Sequence, residues 1–176
     1  MTSAGLIRNY GLFWRREYVF WGRQKNSGNL KGFYTNNKNK IVDFRDQRGI
    51  YVLYDDGFNL VYVGQAGAGN TRLFTRLKDH TTDHLADRWT KFSWFGTRRV
   101  LNTNCTLSKE KDALHPKVRN VLNHLEAVLI SSVEPPHNRQ GGRFGNEVEQ
   151  YLQYYDQEKL GPTIYDMIKS LHISKK

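Results

Sequence analysis

Two short runs rich in β-branched and aromatic side chains, Gly49-Ile50-Tyr51-Val52-Leu53-Tyr54 and Leu60-Val61-Tyr62-Val63-Gly64, are separated by Asp55-Asp56-Gly57-Phe58-Asn59. Branched and ring-bearing side chains pack well on a pleated surface, so both runs favour extended backbone. A short polar connection containing glycine folds them back on each other as an antiparallel hairpin. The next stretch, Gln65-Ala66-Gly67-Ala68-Gly69-Asn70, is too glycine-rich for regular structure, and residues 71–80 then read as a helix capped by Asn70 or Thr71.

The flanks can be read the same way. Residues 10–24 and 29–45, divided by the turn signal Asn26-Ser27-Gly28-Asn29, predict two or three short strands. A further strand is expected over 92–101 and a polar loop over 102–115. A long helix should start at Pro116, because Val118, Leu122, Leu125, Leu129 and Ser132 recur at helical spacing, and Pro135-Pro136 should end it. A basic loop over 139–145 leads to a predicted helix over 146–157, with Val148, Tyr151, Leu152 and Tyr155 on one side, and to a last helix over about 162–171. The expected class is α+β: a small, mostly antiparallel central sheet flanked by helices, with an N-terminal strand extension and C-terminal helices.

At 176 residues the chain is one domain with one core. Its single Cys105 excludes an internal disulfide, and no Cys/His quartet is present for structural zinc. With neither a secretory h-region nor an 18-residue apolar run, a soluble cytoplasmic protein with no membrane partner is expected. Charge points to a polyanion: 27 Lys and Arg face 17 Asp and Glu, for a net +10. Ten of those cations and only three of the acids lie in the first 48 residues, interleaved with Phe13, Trp14, Tyr18, Phe20, Trp21, Phe33 and Tyr34. Such a mixture suits a surface that grips phosphates and stacks on bases. It equally suits a segment whose rings are core and whose cations keep the protein soluble.

Gly49-Ile50-Tyr51 and Tyr62-Val63-Gly64 on paired strands are followed by a helix bearing Arg76 and His80, a strand, a helix bearing Glu126, and Asn138 after the prolines. In that order they resemble the GIY-YIG nuclease family. The resemblance covers residues 48–140 as a nuclease core, between a basic aromatic extension at 1–47 and a helical extension at 141–176. It implies a metal-dependent endonuclease that hydrolyses DNA phosphodiester bonds, with Mg²⁺ or Mn²⁺ as cofactor. Tyr51 would activate the water, Arg76 would bind the phosphate and Glu126 would hold the metal. Tyr62 would stand beside Tyr51, His80 would orient Tyr51 or touch the phosphate, and Asn138 would bridge the network.

The chemistry of these residue types agrees. A guanidinium forks onto two phosphate oxygens and stays charged at any working pH. One carboxylate with waters and phosphate suits Mg²⁺. A phenol, with a reference pKa of about 10, becomes a base only where its surroundings favour the phenolate. Arg72, Arg76 and His80 are four residues apart, each rotated about 40° from the last, so they share a helix side. Eleven residues separate Gly64 from Arg76, which leaves Arg72 as the alternative phosphate ligand; Leu73 and His80 favour Arg76. Arg15, Arg16 and Arg23 would contact nucleic acid from the N-terminal segment, and Arg139 and Arg143 from the basic loop. RNA fits the same chemistry, and a catalytically silent nucleic-acid-binding module on this scaffold is the rival reading.

Overall fold

The strands β1 (Asn9–Arg15), β2 (Lys31–Tyr34), β3 (Asn37–Asp43), β4 (Gly49–Tyr54), β5 (Leu60–Ala66), β6 (Lys91–Gly96) and β9 (Glu149–Gln153) join in one sheet, in the order β3-β2-β9-β1-β6-β4-β5. A separate two-stranded ribbon pairs β7 (Val100–Leu101) with β8 (Thr106–Leu107). The helices are α1 (Leu73–Asp79), α2 (Val118–Val133), α3 (Gln157–Leu160) and α4 (Ile164–Ile173). The structure, a computed structural model, describes residues 6–23, 27–67, 71–109, 118–133, 144 and 147–173. Among them no helix is long and apolar enough to cross a membrane.

The class is α+β, but the sheet is large and mixed rather than small and mostly antiparallel. The difference comes from β9, which runs parallel to β1 on one side and antiparallel to β2 on the other. Residues 149–153 had been expected inside a helix over 146–157. Helix and strand preferences differ by only tenths of a kcal/mol per residue, so pairing on both edges outweighs the local pattern. Tyr151 is fully buried there and donates its hydroxyl to Glu149 Oε2 at 2.7 Å.

Nor is the basic aromatic N-terminal segment an appendage. β1 lies between β9 and β6, inside the sheet. Its register against β6 slips between Gly11 and Trp14, and Phe13 sits at the slip with φ 51°. An extra residue at a bulge reverses the side to which the following side chains point. Trp14 thereby enters the same cluster as Phe44, Trp94 and Tyr151, where it meets Trp94 edge-on at 5.4 Å and donates Nε1–H to the Tyr151 carbonyl at 3.2 Å.

Alternation along β4 divides the core in two. Tyr51 and Leu53 join Leu73, Phe74 and Leu77 of α1 on one face, while Val52 and Tyr54 join Ala127 and Val128 of α2, with Ile7, Phe95 and Phe144, on the other. The sheet thus stands between α1 and α2. Every residue of β6 is buried, as expected of a strand covered on both faces.

A buried amide fixes α1 to this sheet. Gln47 Nε2 donates to Asn9 Oδ1 at 2.8 Å and to the Arg98 carbonyl at 2.9 Å, and its Oε1 accepts the Arg48 and Arg98 amides at 2.9 and 3.0 Å. The same short segment accepts the first donors of α1: Leu73 N–H on the Gln47 carbonyl at 2.9 Å and Phe74 N–H on the Arg45 carbonyl at 3.2 Å. Helix-initial amides lack partners within the helix, so this satisfies them and sets where α1 begins.

On the other face, the Ile7 N–H donates to His124 Nδ1 at 2.9 Å, tying the start of β1 to α2. Burial holds the His124 pKa below the ordinary histidine value; a bond to the Phe144 backbone opposes this and the Arg8 charge adds to it. The neutral ring therefore belongs to the fold, and the unfolded chain takes up the proton first as pH falls. Its contribution is complete above pH about 6.5 and is lost as pH drops through the lower folded value. Urea midpoints measured from pH 8 to pH 5 should fall more steeply for the wild type than for His124→Gln, and parallel curves would show that this bond carries no such linkage.

Candidate functional site

Tyr51 lies directly opposite Gly64 across the hairpin. A Cβ on Gly64 would stand 2.4 Å from the Tyr51 Cζ and hydroxyl and 2.7 Å from the Tyr62 ring. The missing side chain is the space in which the phenol lies. Gly49 has a different reason: its φ is +146°, and a Cβ there would meet the Phe95 carbonyl oxygen at 1.9 Å. Each motif glycine is thus required by sterics at its own position.

The Tyr51 hydroxyl reaches His80, at the end of α1, with 2.8 Å between its oxygen and Nε2. His80 Nδ1 lies 2.6 Å from Asp83 Oδ2. A carboxylate only accepts, so Nδ1 carries the proton, and in the neutral ring Nε2 then accepts the Tyr51 O–H. Asp83 also accepts the Leu85 amide at 2.8 Å. The Trp89 indole N–H donates to the His80 carbonyl at 2.9 Å. The Tyr62 ring packs against His80 at 4.9 Å and against Tyr51 at 6.1 Å.

Arg76, one turn before His80, has its guanidinium beside the Tyr51 hydroxyl. Burial pushes the Tyr51 pKa up, and the Arg76 charge and contact pull against that without overcoming it, so at rest the phenol keeps its proton. A Tyr51 phenolate would in turn hold the Arg76 charge more firmly. Burial works against the Asp83 charge, but the Leu85 amide and His80 outweigh it and keep the carboxyl below its usual range. Access is graded. Tyr51 is fully buried and His80 nearly so, while the side chains of Arg76 and Asp83 are 33% and 32% exposed and Tyr62 is half-buried.

The predicted site residues therefore fall into three groups. Tyr51, Tyr62, Arg76 and His80 come together. Glu126 lies on α2, the helix of the opposite sheet face; its side chain, like Asn138, Arg139 and Arg143, lies outside the described residues. Among the arginines expected on nucleic acid, Arg16 is spent on the fold: it donates to the Ala86 carbonyl and, at 3.4 and 3.5 Å, to those of Trp89 and Thr81, and it covers the Trp89 ring at 4.8 Å. Arg15 pairs with Glu17 at 3.1 Å, Arg72 donates to the Thr71 carbonyl at 3.2 Å, and Arg23 is exposed. Among the described residues no three His, Cys, Asp or Glu side chains gather where they could hold a metal ion. A single-carboxylate Mg²⁺ site needs no such cluster, so the metal stays with the resemblance.

Sequence reasoning missed Asp83 and Gln47. A carboxylate three residues after His80 was a usable signal, whereas nothing local marks a buried glutamine. Beyond Trp89 a cavity of about 510 Å³, lined by Arg15, Trp21 and Lys91 among others, shares no residue with the tyrosine cluster. No family model, curated protein or solved structure matches the chain.

Gly64→Ala should push the phenol aside and break its bond to His80, at a cost of about 1–3 kcal/mol for overpacking. Urea unfolding measures the loss. An unchanged midpoint together with an unchanged His80 ring resonance would show that the space is not needed.

Proposed function

We propose that this chain is a nucleic-acid phosphodiesterase of the GIY-YIG type, a metal-dependent endonuclease acting on DNA. The observation that carries the reading is the gathering of two phenols, an imidazole and a guanidinium on the face of the β4–β5 hairpin that packs against α1. Ordinary packing does not call for a cation beside a buried hydroxyl. A phosphodiester does, because its oxygens are already negative and the charge that develops in the transition state needs a fixed positive partner.

Each group has a part. Arg76 binds the phosphate through the exposed portion of its side chain, and the half-buried Tyr62 lies beside it. Tyr51, a catalytic residue in this reading, takes the proton of the attacking water as phosphate on Arg76 brings that water to its hydroxyl. The resemblance would put Mg²⁺ on Glu126 to supply Lewis-acid chemistry, but α2 covers the sheet face away from Tyr51, so none of these steps is routed through the metal.

The binding module that does not cleave is the second reading, and two observations favour it. The Tyr51 hydroxyl is wholly buried, and α2 packs on the sheet face away from it.

Labelled duplex, branched and single-stranded DNA and RNA, incubated with Mg²⁺ or with EDTA, separate the readings. Cutting should require Mg²⁺ or Mn²⁺. Arg76→Ala should lower kcat by about 10²–10³-fold, as for loss of one transition-state donor. Glu126→Gln should abolish turnover while leaving affinity nearly unchanged. Binding without cutting of any substrate would establish the module instead.

A further inference from the structure

We propose that Asp83 is a positioning residue for Tyr51 and acts through His80, the three side chains forming a proton relay whose outer end is open to solvent. The reaction it serves rests on the phosphodiesterase reading; the geometry of the relay does not. Two short contacts in series define it, 2.8 Å from the Tyr51 oxygen to His80 Nε2 and 2.6 Å from His80 Nδ1 to Asp83 Oδ2.

The Tyr51 phenol is fully buried, and the proton acceptor within its reach is His80 Nε2 at 2.8 Å. His80, nearly as buried, would take up that proton with difficulty without a charged neighbour. Asp83 removes that difficulty in two ways. Its carboxylate fixes the proton on Nδ1, which leaves the Nε2 lone pair aimed at the phenol. Its charge then stabilises the imidazolium that forms when that lone pair accepts the Tyr51 proton. The accounting is closed: water gives its proton to the Tyr51 oxygen as Tyr51 gives its own to His80 Nε2, and each O–H electron pair stays on its oxygen. The hydroxide bonds to phosphorus, the P–O bond to the leaving sugar oxygen breaks with its electron pair, that oxygen takes a proton from solvent, and the imidazolium returns one to solvent at the Asp83 end, which restores the neutral ring.

The turn that bears Asp83 is braced. Arg16, from the chain just after β1, holds the Thr81, Ala86 and Trp89 carbonyls, and the Trp89 indole holds the carbonyl of His80 itself. The titratable groups facing the relay are Tyr51 from β4, Tyr62 from β5, Arg76 from α1 and, beside Asp83, His84.

Nitrogen-resolved NMR of the histidine rings in the full chain reads the relay without any substrate, and kinetics on the labelled DNA substrates reads its use. The neutral His80 ring should carry its proton on Nδ1. Asp83→Asn should shift the neutral His80 ring toward the Nε2–H tautomer and reduce kcat about 10–100-fold with KM nearly unchanged. Asp83→Glu, which keeps the carboxylate, should restore much of the rate and controls for folding. A wild-type ring protonated on Nε2, or an Asp83→Asn variant with unaltered His80 ring-nitrogen signals and unaltered kcat, would overturn the proposal. A wild type that cuts nothing, yet whose Nδ1–H ring changes tautomer in Asp83→Asn, would overturn the phosphodiesterase reading and support the relay.

Discussion

The placement of α1 rests on one buried side-chain amide. Gln47 spends both its hydrogens and both lone-pair directions on Asn9, Arg48 and Arg98, so the segment before β4 is held against β1 and the end of β6. From that segment, backbone carbonyls receive the first amides of α1. Buried polar groups are costly unless satisfied, and a node with every valence filled has few alternative arrangements. Arg76 and His80 inherit that definition, because a helix of under two turns has little freedom once its first residues are fixed.

The cations of the N-terminal segment divide by their surroundings. Arg16 lies where carbonyls and an indole face need a planar donor, and there it builds structure. Arg15 and Arg23 remain near solvent, where charge acts at longer range. Of the two readings of this segment, the one that places its rings in the core holds for Trp14. Trp14 and Phe44 are core, each fully or almost fully buried, and part of the positive charge stays at the surface.

The tyrosine cluster joins a protected interior to an open rim. Tyr51 and His80 lie in a poorly solvated region where a proton cannot simply leave, while Arg76 and Asp83 meet solvent on either side of them. Opposite demands meet at Tyr51: burial favours the neutral phenol, and the guanidinium favours the phenolate. A group poised between such influences responds strongly to a new charge beside it.

Local chemistry was enough to find the β4–β5 hairpin, α1 and the run of α2, because β-branched runs, glycine breaks and four-residue spacing act over a few residues, whereas the grouping of Tyr51, Tyr62, Arg76 and His80 is what the family resemblance implies. Local chemistry misread 149–153, where the spacing of Val148, Tyr151 and Leu152 imitates a helix and the decisive partners, β1 and β2, lie more than a hundred residues away in the chain. It also could not say that Tyr51 would be sealed from solvent or that α2 would take the other face of the sheet. Side-chain types and their spacing dictate which segments extend, which coil and which side chains share an element. Which strand pairs with which, which face a helix covers and how deep a hydroxyl lies are settled when distant segments compete to bury the same surface, a contest that no local pattern records.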